Sequence, residues 1–405
     1  MDTPAPISAP DKAPGKVAAD APPAPAAPAA GGGVVTSPLT VGDPVPWFVL
    51  PSTAGPEFRL HSVAGRFIVL CFFGSSSNPA ARARLEAALS LRAAYDDARL
   101  AFFGVSTDAR DRDEGRVRGL IPGIRYFWDF TGEVTRQFMP QDGAGITYVL
   151  DPTLRVIAAL RFDDPRGHDR RLAAEIAALP VPHQHAGVEL YAPVLIVPRV
   201  FEPVLCRRLI DIYRQSGGED SGFMRDREGK TVAIIDHQHK RRQDCRIDDP
   251  RLRDGLNARV LRRLVPEIQR AFQYRPTRIE RHIVACYDAE LGGYFRPHRD
   301  NTTRGTAHRR FAVTINLNAE EYTGGDLRFP EFGQRAYRAP TGGAVVFSCS
   351  LLHEAMPVTS GRRYAFLPFL YDDEGAKLRE ANNAYLGEGV GSYGDAKKIG
   401  DASEG

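Results

Sequence analysis

The sequence predicts two folded domains of different class, an α/β domain followed by a domain built from many short β-strands. Near the beginning of the chain, a continuous apolar run, a helix-forming segment and two further apolar runs follow one another, which predicts a parallel α/β sheet. Between residues 281 and 371, apolar and polar residues alternate with a period of two, and pairs of glycines separate the runs. That pattern is typical of a sandwich or a jelly-roll barrel.

The length of the chain, 405 residues, also favours two domains, because a single core seldom grows beyond roughly 250 to 300 residues. The predicted order is a disordered Ala/Pro-rich tail at 1–38, the α/β domain at 39–180, a linker at 181–193, the second domain at 194–373 and a C-terminal tail at 374–405. The first segment is predicted to be disordered because it has too little apolar surface to offset the loss of chain entropy on folding.

Three apolar runs of the first domain are predicted strands: 67–73, 100–106 and 146–150. The first of them contains no charged residue and is therefore predicted to be buried on both faces of the sheet. Asn78 suits a helix cap and Pro79 suits a first turn, so we expect a helix over 79–98. Cys71 lies inside the first run and is expected to be an inert core residue.

Two helices are predicted to precede the strands of the second domain. The first runs over 203–215 and ends at a pair of glycines. The second follows the N-cap residue Asp249 and carries apolar residues every four positions over 250–272. Pro266 is expected to kink or shorten this helix. The clearest strands are 311–317, 344–347 and 364–370.

The charge balance excludes several classes of partner. A net charge of +3, from 53 basic and 50 acidic residues, produces no broad field for nucleic acid or an anionic membrane. The basic runs 240–242 and 262–263 are therefore expected to be solvated faces. Five scattered cysteines show no paired spacing, which argues against a disulfide framework and a zinc knuckle. The chain shows neither a leader pattern nor a run of ~20 apolar residues, so we expect a cytoplasmic protein.

Three residues of the second domain form a candidate metal site. Residues two apart on an extended segment project to the same side, so His298 and Asp300 can bind one ion while Arg299 faces away. His353, from a distant strand, would complete one triangular face. Two imidazoles and one carboxylate leave three coordination positions open, which Fe(II) needs to hold a bidentate 2-oxo acid and still admit dioxygen.

An arginine near this site is a candidate anion ligand. Arg363 follows His353 by ten residues, on the predicted adjoining strand. A guanidinium is always charged and binds carboxylates through two hydrogen bonds, so Arg363 suits the capture of a carboxylate inside a barrel. Arg362 is expected to point the other way.

The first domain resembles the thioredoxin-like superfamily, and in particular its peroxiredoxin branch. The matching segments are Val41–Pro46, the strand with its two phenylalanines, and Thr147–Pro152. The resemblance implies a reactive cysteine at the start of the following helix, where the helix dipole lowers the thiol pKa. Ser77 and Ala80 stand at those positions, so we predict a redox-inactive scaffold or docking module, through which the chain could bind a protein partner or itself.

The second domain resembles the prolyl 4-hydroxylase type of 2-oxoglutarate/Fe(II) oxygenases, over about residues 194–373. The matching residues are Val284-Ala285-Cys286-Tyr287, Gly293-Tyr294, His298-x-Asp300, Leu317-Asn318, Tyr322-x-Gly324-Gly325-x-Leu327, His353-Glu354-x-x-Pro357-Val358 and Gly361-x-Arg363. The resemblance implies a double-stranded β-helix, a site for Fe(II), 2-oxoglutarate as co-substrate, O2, and L-ascorbate as a reductant. It also implies hydroxylation of a substrate, with succinate and carbon dioxide as co-products.

Some positions around the implied pocket leave alternatives open. Tyr287 matches a tyrosine that lines the pocket of the family and is assigned here to co-substrate binding, although a half-buried structural tyrosine is the alternative. Some relatives carry a carboxylate-binding tyrosine where this chain has Ile315, and Thr314 or Asn316 could compensate. Other histidines are expected to be structural or exposed: His183, His185, His237, His239, His282 and His308.

Simple observations distinguish the candidate functions of this chain. The substrate of a hydroxylase could be peptidyl or a small metabolite, and succinate release with each class would distinguish them. A non-catalytic metal-binding or interaction protein with a thioredoxin-like docking domain is the alternative from a different class. A thiol peroxidase is excluded by the missing cysteine.

Overall fold

The computed structural model describes residues 38–140, 142–164, 166–390 and 398–399. The Ala/Pro-rich segment predicted to be disordered therefore lies, except for Pro38, outside the described residues. Most of the predicted C-terminal tail beyond residue 390 also lies outside them.

Within the described residues, the first domain contains seven strands and four α-helices. Its strands are β1 Val49–Ser52, β2 Gly55–Arg59, β3 Phe67–Gly74, β4 Leu100–Ser106, β5 Ile124–Trp128, β6 Ile146–Leu150 and β7 Val156–Arg161; its helices are α1 Pro79–Ser90, α2 Ala109–Asp113, α3 Thr135–Phe138 and α4 His168–Ala178. The three strands predicted from apolar runs are confirmed. Helix α1 begins as expected, with the Asn78 side chain accepting hydrogen bonds from two backbone N–H groups, but it ends at Ser90, earlier than predicted.

The seven strands form one mixed sheet in the order β2-β1-β5-β4-β3-β6-β7. Strands β3, β4 and β5 are parallel, whereas β6 runs antiparallel to β3. The prediction of an all-parallel sheet is therefore wrong for β6. An apolar run predicts that a strand is buried, but it does not predict the direction of the strand in the sheet. Parallel neighbours need a long crossover, whereas the connection from β5 to β6 contains only the short helix α3. The α/β class with a thioredoxin-like sheet is confirmed.

The second domain consists of eighteen strands and four α-helices within the described residues. The strands are β8 Leu195–Val197, β9 Glu219–Asp220, β10 Phe223–Arg227, β11 Lys230–Ile234, β12 Lys240–Arg241, β13 Gln243–Arg246, β14 Arg278–Glu280, β15 Ile283–Asp288, β16 Tyr294–His298, β17 Phe311–Asn316, β18 Thr323–Gly324, β19 Leu327–Arg328, β20 Ala336–Tyr337, β21 Ala344–Ser348, β22 His353–Ala355, β23 Val358–Ser360, β24 Arg362–Phe366 and β25 Phe369–Tyr371; the helices are α5 Pro203–Ser216, α6 Pro250–Arg259, α7 Val265–Phe272 and α8 Asp373–Ala381.

Two sheets carry the site of this domain. The larger runs β14-β25-β17-β24-β15-β13-β9, with β21 and β8 attached beside β17, and the smaller runs β12-β16-β22-β19-β20. The jelly-roll class predicted from the period-two pattern is confirmed. One predicted strand, 364–370, is two strands in the structure, because Pro368 cannot donate a backbone hydrogen bond and interrupts the ladder between β24 and β25.

Helices α5, α6 and α7 pack apolar residues such as Leu209, Leu256 and Ile268 against the larger sheet, in one buried cluster. Helix α5 ends at Ser216 and is capped by the first glycine of the predicted pair, Gly217, with φ of 76°. The helix predicted over 250–272 is present as α6, a π-helical turn at Val260–Leu264 and α7, and Pro266 stands in the first turn of α7. The kink or shortening expected from Pro266 stays a prediction.

The two domains are in contact beside the smaller sheet. Leu352, which belongs to the second domain, is buried in a hydrophobic cluster formed otherwise by the first domain. Arg59 donates a hydrogen bond of 3.1 Å to the carbonyl of Thr302 and lies 3.8 Å from the carboxylate of Asp226. The first domain therefore supports the part of the barrel that precedes His353.

Candidate active site

The strand register of the smaller sheet brings the two candidate histidine ligands together. His298 ends β16, His353 begins β22, and the two residues are opposite each other in this antiparallel pair. Asp300 follows two residues after His298, and its backbone N–H donates to the carbonyl of Cys349 at 2.9 Å. Residues 55 positions apart in the chain thus meet at one end of the sheet.

One potential ligand atom from each of these residues lies within 4.8 Å of the others. The Nε2 atom of His298 is 3.6 Å from Asp300 Oδ1, and the Nε2 atom of His353 is 3.3 Å from Asp300 Oδ2. No other such group of three occurs in the ranges that the structure describes.

Hydrogen bonds on the far side of each imidazole set its tautomer. His298 Nδ1 lies 2.8 Å from the carbonyl of Arg296, and His353 Nδ1 lies 3.0 Å from the carbonyl of Leu351. A carbonyl only accepts, so each Nδ1 carries the proton and donates it, and each Nε2 retains its lone pair. This is the usual arrangement around histidines that bind a metal.

Burial and mutual electrostatics favour the ionisation states that a metal requires. Burial and, to a smaller extent, the neighbouring His353 lower the pKa of His298 to about 4. Burial alone would raise the pKa of Asp300, but the imidazoles of His353 and His298 outweigh it and hold that pKa well below its usual range. At neutral pH the group therefore offers a neutral imidazole at His298 and a carboxylate at Asp300.

Arg299 lies between two of the candidate ligands and is itself buried. Its guanidinium donates to both carboxylate oxygens of Glu331, at 2.8 and 3.0 Å, and to the carbonyl of Ser350. It also reaches the first domain, where it donates to the carbonyl of His61 at 3.4 Å and lies 4.5 Å from the ring centre of Trp47. The expectation that Arg299 faces away from the metal position agrees with these contacts.

Arg363 is buried in β24, opposite Tyr287 on β15, with its guanidinium 5.0 Å from the tyrosine ring. Its Nε and Nη1 atoms have no hydrogen-bond partner among the described residues. A buried donor without a partner costs free energy, so a bound acceptor is expected here. Arg362 is exposed and pairs with Asp288 at 2.7 Å, which agrees with the predicted alternation.

Strand β17 contains Ile315, at the position where some relatives carry a carboxylate-binding tyrosine, and its neighbours Thr314 and Asn316. Ile315 is fully buried in the cluster beneath the helices, so it faces away from the cavity. Thr314 lines the cavity, whereas Asn316 donates to the carbonyl of Ala339 at 2.7 Å. Of the two residues that could compensate for Ile315, only Thr314 is in position to contact a ligand.

A cavity of about 510 Å³ contains the candidate ligands, Arg363 and Tyr287 in its lining. This volume is in the range of small-molecule sites. The aromatic ring of Phe295 stacks on the His298 imidazole with 3.5 Å between ring centres, and Phe347 lies 4.5 Å from the ring centre of His353.

Two basic residues beside the cavity were not recognised from the sequence. Lys240 and Arg242 are 4% and 8% exposed and line the cavity. The expectation that the run 240–242 is a solvated face holds only for Arg241. Two cations separated by one residue on an extended segment lie on the same face of it. The spacing of Lys240 and Arg242 is therefore the feature of the sequence that could have indicated their common position.

The remaining histidines do not join the candidate metal group. His308 is buried and bonds Glu280 at 2.6 Å, and His282 bonds Asn257 at 2.8 Å, so both have structural partners. His239 differs from the expected exposed residue, because it is half-buried and lines the cavity.

The first domain offers no thiol chemistry at the position that the superfamily uses. Ser77 stands just before helix α1, with its Oγ 3.4 Å from an oxygen of Asp108 and also in contact with Arg116. Hydrogen bonds from Arg110 and Ser75 lower the pKa of Asp108, which makes this carboxylate a poor base. Burial raises the pKa of the Cys71 thiol to about 12, as expected for a core cysteine.

Comparisons with known proteins agree with both resemblances. Residues 282–371 match the 2OG-Fe(II) oxygenase superfamily. Residues 41–174 match the AhpC/TSA family. A PKHD-type hydroxylase of Synechococcus sp. (strain JA-2-3B'a(2-13)) is 34% identical over 97 residues, which are 22% of this chain and 42% of that protein. The chain thus spans about two fifths of the length of this relative.

Solved structures with similar folds exist for each domain. A prolyl hydroxylase from Trichoplax adhaerens, in complex with a peptide fragment of the hypoxia inducible factor, aligns with 18% identity and a TM-score of 0.36, covering 52% of this chain and 96% of that chain. The peroxidoxin BcpB from Mycobacterium tuberculosis aligns with 22% identity and a TM-score of 0.28, covering 34% of this chain and 94% of that chain. No helix among the described residues is long and apolar enough to cross a membrane.

Proposed function

We propose that the second domain is an Fe(II)- and 2-oxoglutarate-dependent dioxygenase that hydroxylates a peptidyl or small-molecule substrate. The observation that carries the proposal is the close group of His298, Asp300 and His353 beside Arg363, a buried guanidinium with unpaired N–H groups. The match to the oxygenase superfamily over residues 282–371 supports it.

The residues present fit the metal and the co-substrate. Two Nε2 lone pairs and one carboxylate form an oxygen- and nitrogen-donor set with one open side, which suits Fe(II) and not a closed structural zinc site. The unpaired N–H groups of Arg363 suit a carboxylate. A non-catalytic metal-binding or interaction protein is not favoured, because such a protein has no need for a buried, unpaired guanidinium beside the metal ligands.

Each residue has a defined role in this proposal. His298, Asp300 and His353 would hold Fe(II). Arg363, with Tyr287 opposite it and Thr314 in the lining of the same cavity, would bind the distal carboxylate of 2-oxoglutarate. Fe(II) with 2-oxoglutarate and O2 supplies the oxidising chemistry that hydroxylates a C–H bond and releases succinate and carbon dioxide. L-ascorbate would serve as the reductant that keeps the iron ferrous.

The first domain, within the proposed boundaries 39–180, would act as a redox-inactive support or docking module in a cytoplasmic protein. Ser77 replaces the reactive cysteine, and Cys71 is buried, so neither supplies a thiolate.

Anaerobic reconstitution with Fe(II) and 2-oxoglutarate tests the proposed function. We expect the visible charge-transfer band of a chelated 2-oxo acid, and His298→Ala should abolish it. Arg363→Met should retain iron but weaken 2-oxoglutarate binding about 10- to 100-fold, because charged hydrogen bonds contribute about 1.5–3 kcal/mol each.

Arg362→Met is the matched control, since it removes the exposed neighbour of Arg363 and should leave the affinity for 2-oxoglutarate unchanged. Wild-type protein that forms no band and releases no succinate would contradict the proposed function. An unchanged affinity in Arg363→Met would contradict the assigned role of that residue.

A further inference from the structure

The cavity lining is strongly cationic. Among the described residues that line it, nine are lysine or arginine, and only Glu280 and Asp300 are carboxylates. Glu280 is already bound by Arg309 and His308, each at 2.6 Å, and Asp300 belongs to the candidate metal ligands. Neither carboxylate is therefore available to neutralise the remaining cations.

Lys240 is one of the cations that lack a carboxylate partner. Its ammonium donates to the hydroxyl of Ser221 at 2.7 Å and to the carbonyl of Gly222 at 2.6 Å, and no ion pair involves it in the part of the chain that the structure describes. Burial, followed by the charge of Arg242, lowers the pKa of Lys240 well below its usual value. An anion beside Lys240 would stabilise its charged form, which burial disfavours.

Arg281 is a second such cation. Its Nη2 atom donates to the carbonyl of Leu367 at 3.3 Å, its guanidinium lies 4.1 Å from the ring centre of Phe369, and its Nε has no hydrogen-bond partner. No carboxylate forms an ion pair with it within the described ranges. Burial, with the charge of Arg309, lowers its pKa to about 10. The backbone of Arg281 has φ of 67°, a left-handed conformation that costs free energy in a non-glycine residue.

Arg242 completes the group. One side of its guanidinium pairs with Asp244 at 2.6 Å, but its Nε is buried and unpaired. Lys240, Arg242 and Arg281 all line this cavity, and the charges of both arginines act on Lys240. Of the three, only Arg242 has a carboxylate within ion-pair distance among the described residues. Buried cations without such a partner are unfavourable unless an anion binds to them.

This cluster lies beside the metal position and is distinct from Arg363. The Lys240 ammonium is 4.9 Å from the ring centre of Phe295, which in turn stacks on His298. Arg242 and Arg363 both contact the ring of Tyr287, at 5.8 and 5.0 Å. If Arg363 binds 2-oxoglutarate, the cluster at Lys240 has no ligand from that co-substrate.

We propose that the hydroxylated substrate carries an anionic group, a carboxylate or a phosphate, and that Lys240, Arg242 and Arg281 bind it. This inference rests on the proposed function, because it concerns a second anion site beside that of 2-oxoglutarate. The site holds the charged end of the substrate one aromatic ring away from His298 and so orients the adjoining carbon toward the metal position.

Anion binding to the loaded enzyme tests the proposal. Protein that is saturated anaerobically with Fe(II) and 2-oxoglutarate, as verified by the visible band, is titrated calorimetrically with inorganic phosphate, with N-acetylglycine and with the neutral N-acetylglycinamide. We expect one equivalent of phosphate or N-acetylglycine to bind and the amide not to bind. Lys240→Met and Arg281→Met should each weaken that binding at least tenfold, whereas Arg241→Met, the exposed neighbour, should not.

Different results would contradict the proposed dioxygenase function and the proposed anion site. Absence of the visible band contradicts the proposed function. A normal band without anion binding, equal binding of N-acetylglycinamide, or unchanged binding in both Lys240→Met and Arg281→Met overturns the anion site. A loss of 2-oxoglutarate affinity in Lys240→Met that equals the loss in Arg363→Met also overturns it, because the cluster would then bind the co-substrate. A preference for phosphate or for N-acetylglycine supports the site and identifies the anionic group.

Discussion

Replacement of Arg299 tests whether the contact between the domains stabilises the metal-binding strand. The Arg299 and Glu331 side chains are 2% and 10% exposed, and two hydrogen bonds of 2.8 and 3.0 Å join them. Arg299→Met would leave the Glu331 carboxylate buried without its cation. Removing one partner of a buried ion pair costs about 3–5 kcal/mol, so we expect the free energy of unfolding to fall by that amount.

The contact with Trp47, which is 38% exposed, adds about 0.5–1 kcal/mol to this effect, the contribution of a cation over an aromatic ring that water still reaches. The perturbation should also reach the candidate ligands, since Arg299 lies between His298 and Asp300. We therefore expect Fe(II) affinity to decrease along with stability.

Urea denaturation and anaerobic Fe(II) titration measure both effects. Arg362→Met is the control, because it breaks an exposed ion pair and should cost less than about 1 kcal/mol. The double variant Arg299→Met/Glu331→Gln should recover part of the loss, since it leaves no buried charge unpaired. The reasoning is refuted if Arg299→Met is within about 1 kcal/mol of the wild type.

Three further predictions concern separate parts of the molecule. Gly325→Ala should weaken 2-oxoglutarate binding about tenfold, because a Cβ there would lie 2.8 Å from Cγ2 of Val358 and 3.2 Å from Cδ of Arg363 and would displace both side chains. Gly143→Ala, with a similar φ and no neighbour within 4 Å, controls for backbone strain in the same titration. Burial, with the charge of Arg253, lowers the pKa of His282 to about 4, so the unfolded chain binds a proton more readily as the pH falls from about 6.5 to 4. Stability should therefore decrease over that range by up to about 1.4 kcal/mol per pH unit from this residue, and denaturation midpoints of His282→Gln should depend less on pH. Ser77→Ala should leave succinate release unchanged, and a clear loss of turnover would contradict the assignment of the first domain as a support or docking module without a catalytic residue at Ser77.

Local patterns accounted for most elements of the fold. The apolar run 67–73 and the Asn78 cap both depend on residues that are close in sequence, so the sequence predicts them directly. Strand direction depends on distant partners, and for this reason the antiparallel position of β6 was not predicted. Pro368 could have predicted the break between β24 and β25, but the period-two pattern continues across it and favours one strand.

The sequence by itself determined the two domain classes and the residue types of the candidate site, because periodicity and the spacing of His298, Asp300, His353 and Arg363 are properties of the chain. Only the tertiary structure decided what surrounds them. Strand pairing sets the two histidines opposite each other, the carbonyls behind them select the tautomers, and packing of the two domains encloses Arg299. The fold also buries Lys240 and Arg242, which belong to a basic run that looks ordinary in the sequence. Their desolvation depends on the whole fold and not on neighbouring residues, so the sequence does not predict it.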